Sequence, residues 1–94
     1  MGTGLEELLN RVADEVYTGG GGEVVLVFRL ERVVNMYLRG GDLSLTLRRP
    51  DKLLVIAGER VITHDGGKEE VRTNVVVDGA IIDNGKLYIV LKTT

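Results

Sequence analysis

His64, Ser44 and two groups of carboxylates are the side chains with most chemistry to offer, and their spacing limits what they can do. His64 is the single histidine and lies beside the turn residues Asp65 and Gly66. The chain has no cysteine, so disulfides, thiolate nucleophiles and thiolate metal sites are excluded. One imidazole alone cannot build the usual multidentate transition-metal site. Ser44, the single serine, alternates outward between Leu43 and Leu45. A nucleophilic serine instead sits on a sharp turn with a base at hand. Asp78 and Asp83 bracket a short stretch, and Asp65, Glu69 and Glu70 gather near another turn. Carboxylate pairs run glycoside chemistry when held across a cleft. Here they fall in turns without aromatic platforms, which fits turn formation and solubility better. The expectation is a protein that is not an enzyme, with no catalytic residue, no metal site and no cofactor.

Two further patterns invite a functional reading. Gly19-Gly20-Gly21-Gly22 could suggest a phosphate-cradling loop, but such loops run from strand to helix and end in Lys-Ser/Thr. Here a helical pattern precedes the glycines, a strand pattern follows, and Glu23 comes next, so a flexible linker is expected. Eight of the twelve basic residues are arginine, among them Arg29, Arg32, Arg39, Arg48, Arg49, Arg60 and Arg72. A sheet that reads RNA needs stacking aromatics beside its arginines, and Phe28 is the only phenylalanine. Pairing with Glu and Asp across strands is the better use of these side chains.

The elements that must position these residues follow from length and composition. Ninety-four residues make one domain with one modest core. The apolar fraction is 44% and the charged fraction 28%, close to the globular average. A net charge of −2 gives no field to attract phosphate backbones, so no nucleic-acid partner is expected. The N-terminus lacks a basic segment followed by an apolar run, and no apolar run reaches the length of about 20 residues that spans a bilayer. The expectation is a soluble, cytoplasmic chain with no membrane partner.

Residues 3–17 read as an amphipathic helix within an N-terminal segment 1–18. Thr3 and Glu6 have capping-box spacing. Leu5, Leu8, Leu9, Val12 and Val16 line one face, which packs on its own domain or on another chain. The glycine linker occupies 19–22, and the domain proper 23–94. Val24 to Leu30 is a nearly continuous apolar run, and a weaker run spans Val34 to Arg39. Leu43, Leu45 and Leu47 alternate inward with polar neighbours. Lys52 to Ile62 reads as one strand bent at Gly58, with Glu69 to Val77 as its partner across Asp65-Gly66-Gly67. Asp78-Gly79 and Asn84-Gly85 punctuate the final segments. Six to eight strands with turns every eight to twelve residues predict an all-β fold, an antiparallel β-sandwich with a short N-terminal helix, with a small barrel as its nearest competitor.

Ala80-Ile81-Ile82-Asp83-Asn84-Gly85-Lys86-Leu87 resembles the Ala-x-x-x-Asn-Gly-x-Leu signature of the α-crystallin domain of small heat-shock proteins. Leu53-Leu54-Val55-Ile56-Ala57-Gly58-Glu59-Arg60 looks like the Gly-Glu-Arg strand end of the same family, in the right order. The resemblance covers about residues 23–92 and implies an α-crystallin or immunoglobulin-like sandwich that binds unfolding proteins without ATP. Leu43, Leu45 and Leu47 would then edge an apolar groove with Ile81 and Ile82, shielded by the helix face. The chain departs from the family at Leu30-Glu31-Arg32, which has no Pro-Gly, and at Lys86, where a small apolar residue is usual. The stretch between Arg60 and Arg72 is short for an exchange loop, and no Ile-x-Ile anchor follows Lys92. A monomer or small homo-oligomer is therefore expected. The second reading is a co-chaperone-like interaction module that docks one specific folded partner.

Overall fold

The computed structural model describes residues 3–94, with the Thr3 side chain left out, so the Thr3–Glu6 capping box lies outside the described residues. After a short helix, α1 (Thr3–Asn10), come nine strands: β1 (Glu15–Thr18), β2 (Glu23–Arg29), β3 (Val33–Arg39), β4 (Asp42–Leu47), β5 (Lys52–Ala57), β6 (Arg60–Asp65), β7 (Lys68–Thr73), β8 (Val75–Asp83) and β9 (Lys86–Thr93). They form two antiparallel sheets, one of order β1-β2-β9-β8 and one of order β3-β4-β5-β6-β7. The architecture is the expected all-β sandwich with an N-terminal helix.

Most of the topology follows from two-residue turns. Gly40-Gly41 and Gly58-Glu59 have positive φ at the first central residue only, while Gly66-Gly67 and Asn84-Gly85 have it at both. These are the primed turn geometries, whose twist matches that of the strands they join. Gly58 is thus the tip of the β5–β6 hairpin, and the single bent strand expected over 52–62 is two strands. The chain changes sheet twice. Leu30–Arg32 form a 3-10 turn between β2 and β3. Asn74, at φ 67, separates β7 from β8, so the strand expected over 69–77 is cut where an asparagine tolerates the left-handed region. Asp78 makes a bulge rather than a turn: the β8–β9 register shifts between Val77 and Gly79.

The N-terminal segment differs most from expectation. The helix ends at Asn10, and Glu15–Thr18 pair with Val24–Val27 of β2. Val12 and Val16 keep helical spacing, but Val16-Tyr17-Thr18 is β-branched and aromatic sequence with a free strand edge beside it. A helix this short gains little from further turns unless packing rewards them. The glycines are consequently not a free linker. Gly20–Gly22 form a tight 3-10 turn closing the β1–β2 hairpin. The Gly19 amide donates to the Glu23 carbonyl at 2.9 Å, and the Thr93 hydroxyl to the Gly22 carbonyl at 3.1 Å.

Between the sheets lies one core. Leu26 and Phe28 of β2 and Leu87, Ile89 and Leu91 of β9 face Leu43, Leu45 and Leu47 of β4 and Leu54 and Ile56 of β5, all essentially inaccessible. Leu9 and Val12 join this cluster, so the helix packs on its own domain. Each fully buried aliphatic side chain contributes about 1.5–3 kcal/mol relative to an exposed one. One buried charge ties the crossover to the N-terminal turn. Arg32 donates to Asp14 Oδ1 at 3.0 Å, to the Arg48 carbonyl at 3.1 Å and to the Pro50 carbonyl at 3.3 Å. Asp14 also accepts the Arg29 amide at 2.8 Å.

Candidate functional site

The expected groove does not form. Leu43, Leu45 and Leu47 point between the sheets, at most 1% exposed, because strict alternation on β4 sends them into the sandwich interior. Leu8, Leu9 and Val12 are buried, while Leu5 and Val16 are half-buried against the core. Ile81 and Ile82, each 60% exposed, sit on edge strand β8. The structure therefore separates the isoleucines from the leucines they were grouped with.

The polar candidates are equally dispersed. His64 pairs across strands with Glu69, Nε2 to Oε2 at 3.7 Å. Ser44 lies on the outer face of the five-stranded sheet, opposite Tyr37 on one side and Val55 on the other. It stands two strands from His64, about 10 Å laterally. Glu69 and Glu70 face opposite sides of β7, with Glu70 paired to Arg11, Lys68 and Arg72. Asp78 and Asp83 are exposed at the bulge and at the hairpin turn of β8. The arginines form no stripe: Arg29 pairs with Asp14 and Glu31, Arg32 is buried, and Arg72 reaches Glu70. Among the described residues, no group of three or more His, Cys, Asp or Glu could hold a metal ion. No described helix is long and apolar enough to cross a membrane.

What remains is apolar surface on the outside of both sheets. On the four-stranded sheet, registered pairs set Val27, Tyr88 and Ile81 in one outward row and Tyr17, Val25 and Val90 in the next. Tyr17 is 55% exposed and Val25, Tyr88 and Val90 are half-buried, while Val27, in the same outward row as Tyr88, is buried and adds no surface. Charges frame the face: Glu15, Arg29, Lys86 and Asp83 at one end, Glu23 and Lys92 at the other. Lys86 lies 3.9 Å from Glu15. The Tyr17 hydroxyl donates to the Glu15 carboxylate, and that hydrogen bond together with the carboxylate charge holds its pKa above the ordinary 10.0.

On the five-stranded sheet, one outward row reads Tyr37, Ser44, Val55, Ile62 and Val71, and the next Asn35, Thr46, Leu53, His64 and Glu69. A shallow cavity of about 450 Å³ opens at one end, with Val34, Thr46, Leu53, Asp51 and His64 in its wall. Sequence reasoning missed both faces. The signal was present in the nearly continuous apolar run Val24–Leu30 and in Tyr88 and Val90 between the inward Leu87, Ile89 and Leu91, since a strand that is apolar on both faces shows no alternation. Compared with protein-family models, curated proteins and solved structures, the chain finds no match in any of the three.

Proposed function

We propose that the chain is a non-catalytic protein-binding module that docks a folded partner through the outer face of its four-stranded sheet. The observation that carries this reading is the flat area formed by Tyr17, Val25, Tyr88, Val90 and Ile81, apolar in the middle and charged at both ends. Two rows about 6.8 Å apart, each of three apolar positions on strands about 4.8 Å apart, give an apolar area of about 200 Å². What points to an interaction site is the arrangement, a contiguous apolar centre rimmed by polar and charged residues. A standard interface takes about 800 Å² per partner, so the charged ends belong to it too. Their charges are mixed in sign, which suits a partner with an apolar centre and a polar rim rather than a strongly charged one.

The resemblance of Ala80–Leu87 and Leu53–Arg60 to α-crystallin domains supports a second reading, an ATP-independent small heat-shock-like chaperone holding partly unfolded proteins. The joint exposure of Ile81 and Ile82 on a free strand edge favours it, because sheet edges take extended apolar segments. Two assays separate the readings. The docking module gives one stoichiometric partner in a pull-down, lost on Ile81→Asp, and no protection of heat-unfolded clients at several-fold molar excess. Suppression of aggregation across unrelated clients would hand the case to the chaperone.

A further inference from the structure

We infer that β3 is a self-recognition edge, through which two copies of the chain pair antiparallel about a twofold axis at Tyr37 to make a continuous ten-stranded sheet.

Among the described residues the sandwich has four free strand edges, β1, β3, β7 and β8. A free edge presents unpaired amides and carbonyls, which proteins blunt with short length, charge or bulges. Three edges are treated this way. β1 is four residues long. β7 carries Lys68, Glu69, Glu70 and Arg72 among its six residues, and Glu70 is further engaged by Arg11 of the N-terminal segment. β8 is interrupted by the Asp78 bulge and ends in Asp83. β3 differs: its one irregularity lies at its start, between Val33 and Asn35, and from Val33 to Leu38 it holds no charged residue, glycine or proline. Val34, Tyr37 and Leu38 are 58%, 53% and 38% exposed.

The register follows from the β3–β4 hairpin. Arg39 faces Asp42 across the two-residue turn Gly40-Gly41, so Arg39, Tyr37 and Asn35 spend their backbone groups on β4. Met36 and Leu38 therefore direct theirs outward. The irregularity between Val33 and Asn35 confines regular pairing to Asn35–Arg39. Setting Tyr37 opposite Tyr37 of a second copy brings Met36 opposite Leu38, where their outward amides and carbonyls exchange hydrogen bonds on both sides of the axis. Tyr37 becomes a non-hydrogen-bonded pair, with Cα atoms about 4.5 Å apart and rings in contact. Asn35 comes opposite Arg39, an amide oxygen against a guanidinium. No like charges meet, and all side chains keep their faces. Gly40 and Gly41 have open space around them and leave the approach clear. The outward row Tyr37–Val55–Ile62–Val71 then continues into its copy.

Sedimentation equilibrium over about 1–500 µM should show a monomer–dimer equilibrium for the full chain. Tyr37→Lys sets two ammonium groups face to face and should raise the half-dimer concentration at least tenfold while leaving the circular dichroism unchanged. In concentrated samples, hydrogen exchange should slow at the Met36 and Leu38 amides and stay unchanged at Val71. Because the chain lacks cysteine, Tyr37→Cys gives a single thiol on the axis at disulfide distance, and mild oxidation should yield covalent dimer. Val71→Cys, on the opposite edge of the same sheet, should not. A chain that stays monomeric throughout, or Val71→Cys cross-linking as readily as Tyr37→Cys, overturns the inference.

Discussion

Replacing Arg32 with methionine tests the one buried charge among the described residues. Arg32 is 6% exposed, and its guanidinium joins three segments: Asp14 before β1, and the Arg48 and Pro50 carbonyls of the β4–β5 turn. Methionine keeps the aliphatic stem and removes all three hydrogen bonds. Removing one partner of a buried ion pair costs about 3–5 kcal/mol. Two features place this case at the low end. Asp14 retains the Arg29 amide at 2.8 Å, and the turn carrying the two carbonyls is exposed enough for water to reach it. A loss of about 3 kcal/mol is expected. With about 2.1 cal/mol/K of unfolding entropy per residue, a chain of this length has about 0.2 kcal/mol/K, so Tm should fall by ~15 °C. Thermal unfolding followed by circular dichroism reads this directly. Arg48→Ala, which removes an exposed side chain, serves as control and should shift Tm by less than about 3 °C. A fall below about 5 °C for Arg32→Met would show that the clasp does not hold the crossover, and the reasoning would fail.

Leu45→Ala should cost about 3–4 kcal/mol in urea unfolding and Ile82→Ala under about 0.5, since one is fully buried and the other 60% exposed; equal effects would contradict the assignment of β4 to the core. Asn84→Ala puts alanine at φ 54 in the last hairpin and should lose about 1–2 kcal/mol, while Asn84→Gly should lose clearly less. In an ultraviolet absorbance titration Tyr17 should ionise above 10.0, and Glu15→Gln should bring its midpoint down. Because the folded-state value is raised, the stabilisation from this hydrogen bond is complete below the unfolded value of about 10 and is lost as pH rises through the folded one.

The parts of the fold legible in the sequence were those set by local physics. Asn84-Gly85 and Asp65-Gly66-Gly67 marked hairpins because few residues other than glycine and asparagine adopt the turns they need. Leu43, Leu45 and Leu47 marked an inward face because period-two alternation has one physical cause. Their use was misjudged: alternation says that a face is covered without saying by what, and here the second sheet covers it. The helix was overextended because Val12 and Val16 fit both periods, and only pairing with β2, a tertiary contact, decides between them. The outer faces escaped notice for the opposite reason, since a strand apolar on both sides has no period to read. Gly58 and Asp78-Gly79 exchanged roles, turn for bend and bulge for turn, because a glycine signals unusual backbone without specifying which kind.

The two proposed surfaces belong to different sheets, and this separation has a consequence. Pairing through β3 extends the five-stranded sheet and touches none of Tyr17, Val25, Tyr88, Val90 or Ile81, which lie on the other sheet. The dimer would then present two copies of the docking face. A single face with about 200 Å² of apolar area is small by the standard of stable interfaces, whereas two rigidly linked faces bind a multivalent or immobilised partner with avidity, commonly 10²–10⁴-fold above one face alone. Tyr37→Lys should therefore weaken capture on a densely coated surface by at least tenfold and leave binding to a partner free in solution unchanged, as surface plasmon resonance and calorimetry can compare. Ile81→Asp should abolish both. Equal loss on surface and in solution for Tyr37→Lys would mean that the β3 edge itself contacts the partner, and the separation of the two surfaces would be wrong.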